Sequence, residues 1–454
     1  MPQEKITSNQ ALQWCQTFLR GAWSTITVEQ MHIDRVPGAL SNYIYCCSLP
    51  DNIQTENNEP RKVLLKIYGE AHAKHRGTLL IDSIVCALLS ERKIGPYVHG
   101  IFPEGRIEDF IEAESLNPSD LNNEDISRKL GGLLGELHQT DMPLAKEPVW
   151  FSRTIEQYLS DLPTYIDKLR TEHDREIFKE IQSVCDFKEE FEQLKNLLST
   201  IDSPVCFTHN DFHAGNILRL KSQPDNYTVI DFEYCSYNYR NLLSTIDSPV
   251  CFTHNDFHAG NILRLKSQPD NYTVIDFEYC SYNYRGYDIG NYFSELMFDY
   301  KSATEWPFFN VDFTLYPNEN QQMIFITSYI DSSIQSRNKN NSSPNAMMNG
   351  SNSNEIDGSD RNELARQIMK EANYFALASH FFWTLWALNM AASTTIKFGY
   401  MEFARARLTA YHLQRDILTG THDKEDIQIP PQIGEKLLRS PKNPFYQSYS
   451  KTDD

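Results

Sequence analysis

A chain of 454 residues with 40% hydrophobic and 12% aromatic content can bury a substantial core, as one large bilobal domain or two ordinary ones. Its formal net charge of −19 argues against a nucleic-acid binder, because phosphate backbones are gripped by clustered Lys and Arg. The nine cysteines are scattered with no Cys-x-x-Cys pair, which argues against structural zinc and against a disulfide framework.

The opening MPQEKITSNQ has no basic stretch followed by an apolar run, and no window approaches the roughly 18 uninterrupted apolar residues of a membrane span, so a cytoplasmic protein without a membrane span is expected. The runs SNYIYCCSL (41–49) and KVLLKIYG (62–69) have strand character, and the polar DNIQTENNEPR between them predicts a hairpin with a loose loop. Within it, Cys46 and Cys47 read as reduced, partly buried thiols. Residues 78–92 have helical periodicity, and IGPYVHGIFPEGRIEDFIE reads as two short strands around a Pro/Gly turn. Beyond about residue 122 the pattern turns helical, through DISRKLGGLLGELHQT, TIEQYLSDLPTYIDKL and a charged helix ending near Lys195. Residues 336–361 are rich in Asn and Ser with almost no apolar anchors and predict a disordered surface loop between helices. The apolar LARQIMKEANYFALASHFFWTLWALNMAAST predicts a buried helix pair. Strands first and helices after predict an α+β fold with a small β-rich lobe over 1–115 and a larger helical lobe over 116–454.

An identical internal repeat interrupts this order: residues 196–240 recur without change as 241–285, a period of 45. Solenoids are built from at least three diverged units, each burying its face on the next, so two identical copies fit a recent duplication or a faulty gene model better, and one copy is surplus to a single fold. The surplus copy has three exposed turns at which to leave, at STIDS, at KSQPDN or after SYNYR. Closing such a loop costs on the order of 3 kcal/mol at any of them.

Each copy carries His-x-Asp-x-x-x-x-Asn followed by an apolar strand and Asp-Phe-Glu: His209, Asp211, Asn216 and Asp231, then His254, Asp256, Asn261 and Asp276. Phosphoryl transfer needs this set, one carboxylate to accept the substrate hydroxyl proton, and a carboxylate with an amide oxygen to hold Mg²⁺ against the ATP phosphates. Farther on, Trp383 and Trp386 lie three apart on one helical face. Such a stripe alone is more often core than a ligand cage.

The stretches HNDFHAGNIL and VIDFEYCSYNYRGYDIGNYFSE resemble the phosphoryl-transfer signature of choline/ethanolamine kinases, closest to the choline kinases. GALSNYIYCCSLPD, RKVLLKIYGE, ERKIGPYVHGIFPEGRIEDFI and KEPVW upstream, with SHFFWTLWAL and FGYMEFARARL downstream, follow the family in the same order. The first 30 residues, the Asn/Ser stretch, the duplicated copy and the tail lack counterparts. The resemblance implies a protein-kinase-like bilobal fold with ATP and Mg²⁺ between the lobes. It further implies phosphorylation of choline, the first step of phosphatidylcholine synthesis. The alternatives are ethanolamine as the acceptor, or a binding-only pseudokinase disabled by the duplication. A homodimer is the expected assembly.

Carried over by position, the resemblance makes Asp256 (alternatively Asp211) the catalytic base, and Asp276 with Asn261 (alternatively Asp231 with Asn216) the metal ligands. Gly38, Leu40, Ser41 and Asn42 fall in the nucleotide loop, Lys66 steadies the phosphates, and Asp82 partners it where the family commonly has a longer Glu. Tyr279, Glu295, Tyr300, Trp383 and Trp386 line the choline pocket, and Phe403 stands where choline kinases usually present a Tyr. Aromatic faces and carboxylates suit a quaternary ammonium, which has no N–H to donate.

Overall fold

The computed structural model describes residues 6–36, 42–55, 59–69, 76–91, 96–111, 113–115, 123–142, 148–208, 281–341 and 358–420, with short strands between 213 and 278. Helix α1 (Ser8–Phe18) starts at a reciprocal cap, in which the Thr7 hydroxyl accepts from the Gln10 backbone N–H and the Gln10 side chain accepts from the Thr7 backbone N–H. It lies on an antiparallel sheet of order β1-β2-β3-β5-β4, formed by β1 (His32–Val36), β2 (Tyr43–Ser48), β3 (Lys62–Ile67), β4 (Val98–Phe102) and β5 (Gly105–Asp109). The expected β2–β3 hairpin is present, with Tyr43 opposite Ile67 and Ser48 opposite Lys62. Cys46 and Cys47 in β2 are free thiols, half-buried and buried.

Alternation along these strands sorts the two faces. Val63, Leu65, Ile67, Phe102 and Ile107 enter one core with Cys15 of α1 and Trp23, and Trp14 stacks on Phe102 at 4.6 Å. The opposite phase puts Lys66, its register partner Arg106, and Glu108 on the other face. Gly105 is required where β5 meets β3, since a Cβ there would lie 2.0 Å from the Lys66 carbonyl oxygen. Helix α2 (Arg76–Glu91) connects to β4, and β6 (Ala113–Ser115) leads out of the lobe.

The helical part begins with α3 (Glu124–Leu137), whose first turn is capped by the Asn123 side chain. Helix α4 (Val149–Asp161) stops where the sequence pattern continued, because Pro163 breaks the ladder into a 3₁₀ turn at Leu162–Thr164 and a single turn at Tyr165–Lys168. The expected charged helix is two, α5 (Glu172–Val184) and α6 (Phe187–Ser199), each with its own Thr171 or Asp186 cap.

The tandem repeat contributes β7 (Val205–Thr208), β8 (His213–Ala214), β9 (Ile217–Arg219), β10 (Tyr227–Val229) and β11 (Asp231–Glu233) from its first copy. The second copy gives β12 (His258–Ala259), β13 (Ile262–Leu265), β14 (Tyr272–Val274), β15 (Phe277–Glu278) and β16 (Ser281–Tyr284). The copies interleave. β7 of the first pairs with β16 of the second, β8 runs parallel to β12, and β11 parallel to β15. In the sheet β10-β9-β14-β13-β6, strand β14 has its own hairpin partner β13 on one edge and the equivalent strand β9 on the other. Both partners sit in the same register, Ile262 and Ile217 each facing Val274.

After β16 follow α7 (Arg285–Glu295), the small ribbon of β17 (Phe298–Asp299) and β18 (Asn310–Val311), α8 (Glu319–Asn341), α9 (Gly358–Ser393) and α10 (Tyr400–Leu418). Two expectations need correction. The apolar stretch expected to be a helix pair is one 36-residue helix, because no Gly or Pro interrupts it after Gly358. The expected loop over 336–361 is shorter at both ends, with α8 running to Asn341 and α9 starting at Gly358; its centre, 342–357, lies outside the described residues.

Helix α7 is buried from Gly286 to Glu295 and organises this lobe. Its Asp288 meets His138 of α3 at 3.1 Å, and that imidazole meets the Tyr329 hydroxyl of α8 at 2.8 Å. Burial pushes Asp288 well above the usual carboxylate range and His138 well below the usual imidazole range. Close approach of α7 and α9 depends on Gly290, where a Cβ would stand 2.4 Å from the Ala372 carbonyl oxygen and 2.6 Å from the Ala376 nitrogen. Gly290→Ala is expected to destabilise the protein by about 1–3 kcal/mol through forced separation of the two helices, read as a lowered urea midpoint; an unchanged midpoint would show that the helices part freely.

Candidate active site

The residues expected to meet the nucleotide include Lys66, on the β-sheet face away from α1. Lys66 and Arg106 are register partners there, 3% and 0% exposed, and Arg106 forms an ion pair with the buried Glu108. Lys66 and Arg106 are side chains of the charge type that phosphate oxygens bind. The Asn42 side-chain oxygen accepts from the Gly69 N–H at 3.2 Å, tying the start of β2 to the end of β3. Asp82 lies in α2, which packs along β11 and touches β15. Gly38, Leu40 and Ser41 lie outside the described residues.

The duplicated segment is fixed at its two ends. Arg285 makes a fork with Glu371 of α9, Nε to Oε2 at 3.0 Å and Nη2 to Oε1 at 2.6 Å, and the Ser203 hydroxyl donates to the same Oε2 at 2.9 Å. The Gly286 N–H donates to Ser203 and the Arg285 N–H to the Pro204 carbonyl. Entry from α6 is therefore through copy 1 and exit into α7 through copy 2, each where the polypeptide is continuous with its flanking helix. A break at STIDS or after SYNYR is not what the strands display; the surplus lies between Thr208 and Ser281. Asp231 is in β11, opposite Phe277 of the other copy. Asp211, Asn216, Asp256, Asn261, Asp276 and Tyr279 lie outside the described residues.

The helical side of the site is an aromatic enclosure. Trp383 and Trp386 of α9 sit edge-to-face with centroids 5.1 Å apart, and Trp386 meets Tyr400 at 5.9 Å and Phe403 of α10 at 6.4 Å. Tyr300, after β17, closes on Phe403 at 6.0 Å and on Phe398 at 6.4 Å. Asn291 of α7 orients Trp383, its side-chain oxygen accepting from the indole N–H at 2.9 Å and from the Ser379 hydroxyl at 2.5 Å. Glu295, at the end of the same helix, accepts from the Tyr300 hydroxyl at 2.9 Å and forms an ion pair with Arg407. The Arg407 guanidinium carbon lies 4.1 Å from the Phe298 ring centroid and 5.0 Å from that of Phe403. Four of the five expected pocket residues, Glu295, Tyr300, Trp383 and Trp386, are thus brought together.

Comparison with known proteins agrees with this architecture. The choline/ethanolamine kinase family profile matches residues 33–243 and again 239–412, meeting at the junction of the two copies. The chain belongs to the choline/ethanolamine kinase family. It is 33% identical to a human choline/ethanolamine kinase over 419 residues, covering 91% of this chain and 87% of the relative. It is 34% identical to mouse choline kinase alpha over 437 residues, covering 91% and 82%. A crystal structure of choline kinase from Cryptosporidium parvum shares the fold with a TM-score of 0.59 at 21% identity, covering 91% of this chain and 97% of that one.

For a family of kinases, the fold is the expected protein-kinase-like one, a β-sheet lobe followed by a mainly helical lobe. Among the described residues no helix is long and apolar enough to cross a membrane. Sequence reading missed three residues of the site. Arg106 was legible from strand alternation, being out of phase with the buried Ile107. Arg407 was legible as the residue one helical turn beyond Phe403, whereas Asn291 carried no signal. Lys66→Met is expected to weaken ATP binding about tenfold or more, the value of one charge-assisted hydrogen bond to phosphate; an unchanged Kd in a direct titration would return Lys66 to a packing role.

Proposed function

We propose that this protein transfers the γ-phosphoryl group of ATP to the hydroxyl of choline, the first step of phosphatidylcholine synthesis. The observation that carries the choice of acceptor is the enclosure of Trp383, Trp386, Tyr300 and Phe403, built from α9, α10 and the β17 ribbon around the end of α7. Aromatic faces attract a quaternary ammonium through the ring quadrupole, whereas a primary ammonium such as that of ethanolamine requires several acceptors.

The base in this reading is Asp256, which takes the proton of the choline hydroxyl as it attacks. Asp276 and Asn261 would hold Mg²⁺, and their all-oxygen donor set suits that hard cation. When bound, the ion neutralises charge developing on the phosphates. Lys66, with Arg106 beside it, would steady the nucleotide. Copy 2 is favoured because its hairpin strand β13 pairs with β6 at the exit from the β lobe and because its chain continues through β15 and β16 directly into α7. The equal pairing of β14 with β9 supports Asp211 as the alternative base. The assembly in this reading is a homodimer, which sedimentation would test.

Purified protein is expected to phosphorylate choline with MgATP at a higher kcat/KM than ethanolamine; the reverse order would make it an ethanolamine kinase, and no alcohol-dependent turnover would make it a pseudokinase. Asp256→Ala should lower kcat by several orders of magnitude and Asp211→Ala little. Loss with Asp211→Ala alone would move the base to copy 1, and equal partial losses would mean that the two copies exchange.

A further inference from the structure

A feature of the enclosure separates charge from cation binding. Glu295 is 1% exposed and Arg407 0%, and one carboxylate oxygen is given to Arg407 while the other accepts from Tyr300. Arg407 is itself held from behind, its Nη1 lying 3.3 Å from Nδ1 of His380, and from the sides by the faces of Phe298 and Phe403. Burial pushes the His380 imidazole down to about 3, so at neutral pH it is uncharged and its Nδ1 accepts from the guanidinium. Glu295 is therefore neutralised before any substrate arrives. The Trp383 N–H is given to Asn291, and the buried Trp386 N–H has no hydrogen-bond partner among the described residues.

The geometry points to Arg407 as the residue that sets acceptor specificity, acting through Glu295: by neutralising that carboxylate and occupying one of its oxygens, it leaves an enclosure of ring faces that admits a quaternary ammonium and disfavours a primary one. This rests on the reading of the enclosure as the ammonium site. The argument is one of hydrogen-bond accounting. A primary ammonium entering from water surrenders three N–H bonds and meets a Glu295 whose two oxygens are each already engaged once and whose charge is already cancelled, whereas a quaternary ammonium surrenders none. Phe403 strengthens the effect, since its ring offers a face for Arg407 and no acceptor for the substrate. Arg407 is a positioning residue, because its guanidinium is fully buried behind Glu295 and touches the rings rather than the acceptor.

Three variants test it. Arg407→Met frees a carboxylate oxygen and is expected to lower the ratio of choline to ethanolamine kcat/KM about tenfold or more, chiefly through a lower ethanolamine KM. Glu295→Gln leaves an uncompensated cation against the rings and should raise the choline KM about 100-fold with a smaller change in kcat. Combining the two removes both charges and should recover most of that loss, a coupling that two independent packing defects would not produce. An unchanged ratio in Arg407→Met, or a double variant no better than Glu295→Gln, overturns the inference.

Quenching of tryptophan fluorescence by tetramethylammonium gives a readout that requires no turnover and that can be made on any variant that folds. Quenching weakened in Glu295→Gln and restored in the double variant supports the inference even where the wild-type protein phosphorylates neither alcohol, a result that would sink only the substrate reading. Equal quenching in all forms overturns the inference.

Discussion

The fork between Arg285 and Glu371 fixes where the duplicated segment ends and the helical lobe begins. Both oxygens of a carboxylate that is 1% exposed are engaged by one planar guanidinium, with Ser203 adding a third hydrogen bond. Breaking such a pair from one side leaves an uncompensated buried charge, at a cost of about 3–5 kcal/mol. Helix α7 therefore starts at one place. From that start its length delivers Asp288 to the polar contact with His138, Gly290 to the close crossing with α9, Asn291 to the Trp383 indole and Glu295 to the enclosure. A slip of one residue would turn each of these side chains about 100° around the helix axis.

Because the fork joins Ser203 of the first copy to Arg285 of the second, it also explains how one fold accommodates a segment given twice. Chain continuity anchors the first strand to α6 and the last to α7, and the identical residues between them compete for one set of partners. β14 shows the outcome: it is a central strand with the same sequence on both edges, in the same register. Every added strand extends a sheet by identical hydrogen bonds, so the second hairpin is accepted at the far edge without disturbing the pairing of β13 with β6.

The two sides of the site follow different physical logics. On the β lobe, Lys66 and Arg106 share one buried sheet face with Glu108, and in the proposed reading they meet an anionic ligand. On the helical lobe the Glu295–Arg407 pair cancels, which in the proposed reading leaves ring faces for a cation whose charge is diffuse and whose hydration is weak. Buried ion pairs of this kind contribute little net stability over apolar residues of equal volume. The proposed specificity role gives the pair at the end of α7 a reason other than stability.

The sequence by itself determined the family, the order of lobes and the chemistry. Strand alternation around Lys66 and the spacing of Asp, Asn and Asp in the repeated segment are local patterns, set by the periods of strand and turn, and they can be read without coordinates. The Trp383 and Trp386 pair was equally visible as a helical face, though only the family resemblance distinguished it from ordinary core. Element boundaries went astray where a local rule dominated: Pro163 ended α4 early, and the lack of any breaker after Gly358 made one helix of an expected pair. What only the tertiary structure decided is long-range pairing. Two identical segments carry no local information about which of them sits against β6 or ends at Arg285, and Glu295 does not reveal from its neighbours that Arg407, on another helix, has already taken its charge. Those facts depend on contacts between residues far apart in the chain, which the packing of α7, α9 and α10 alone brings together.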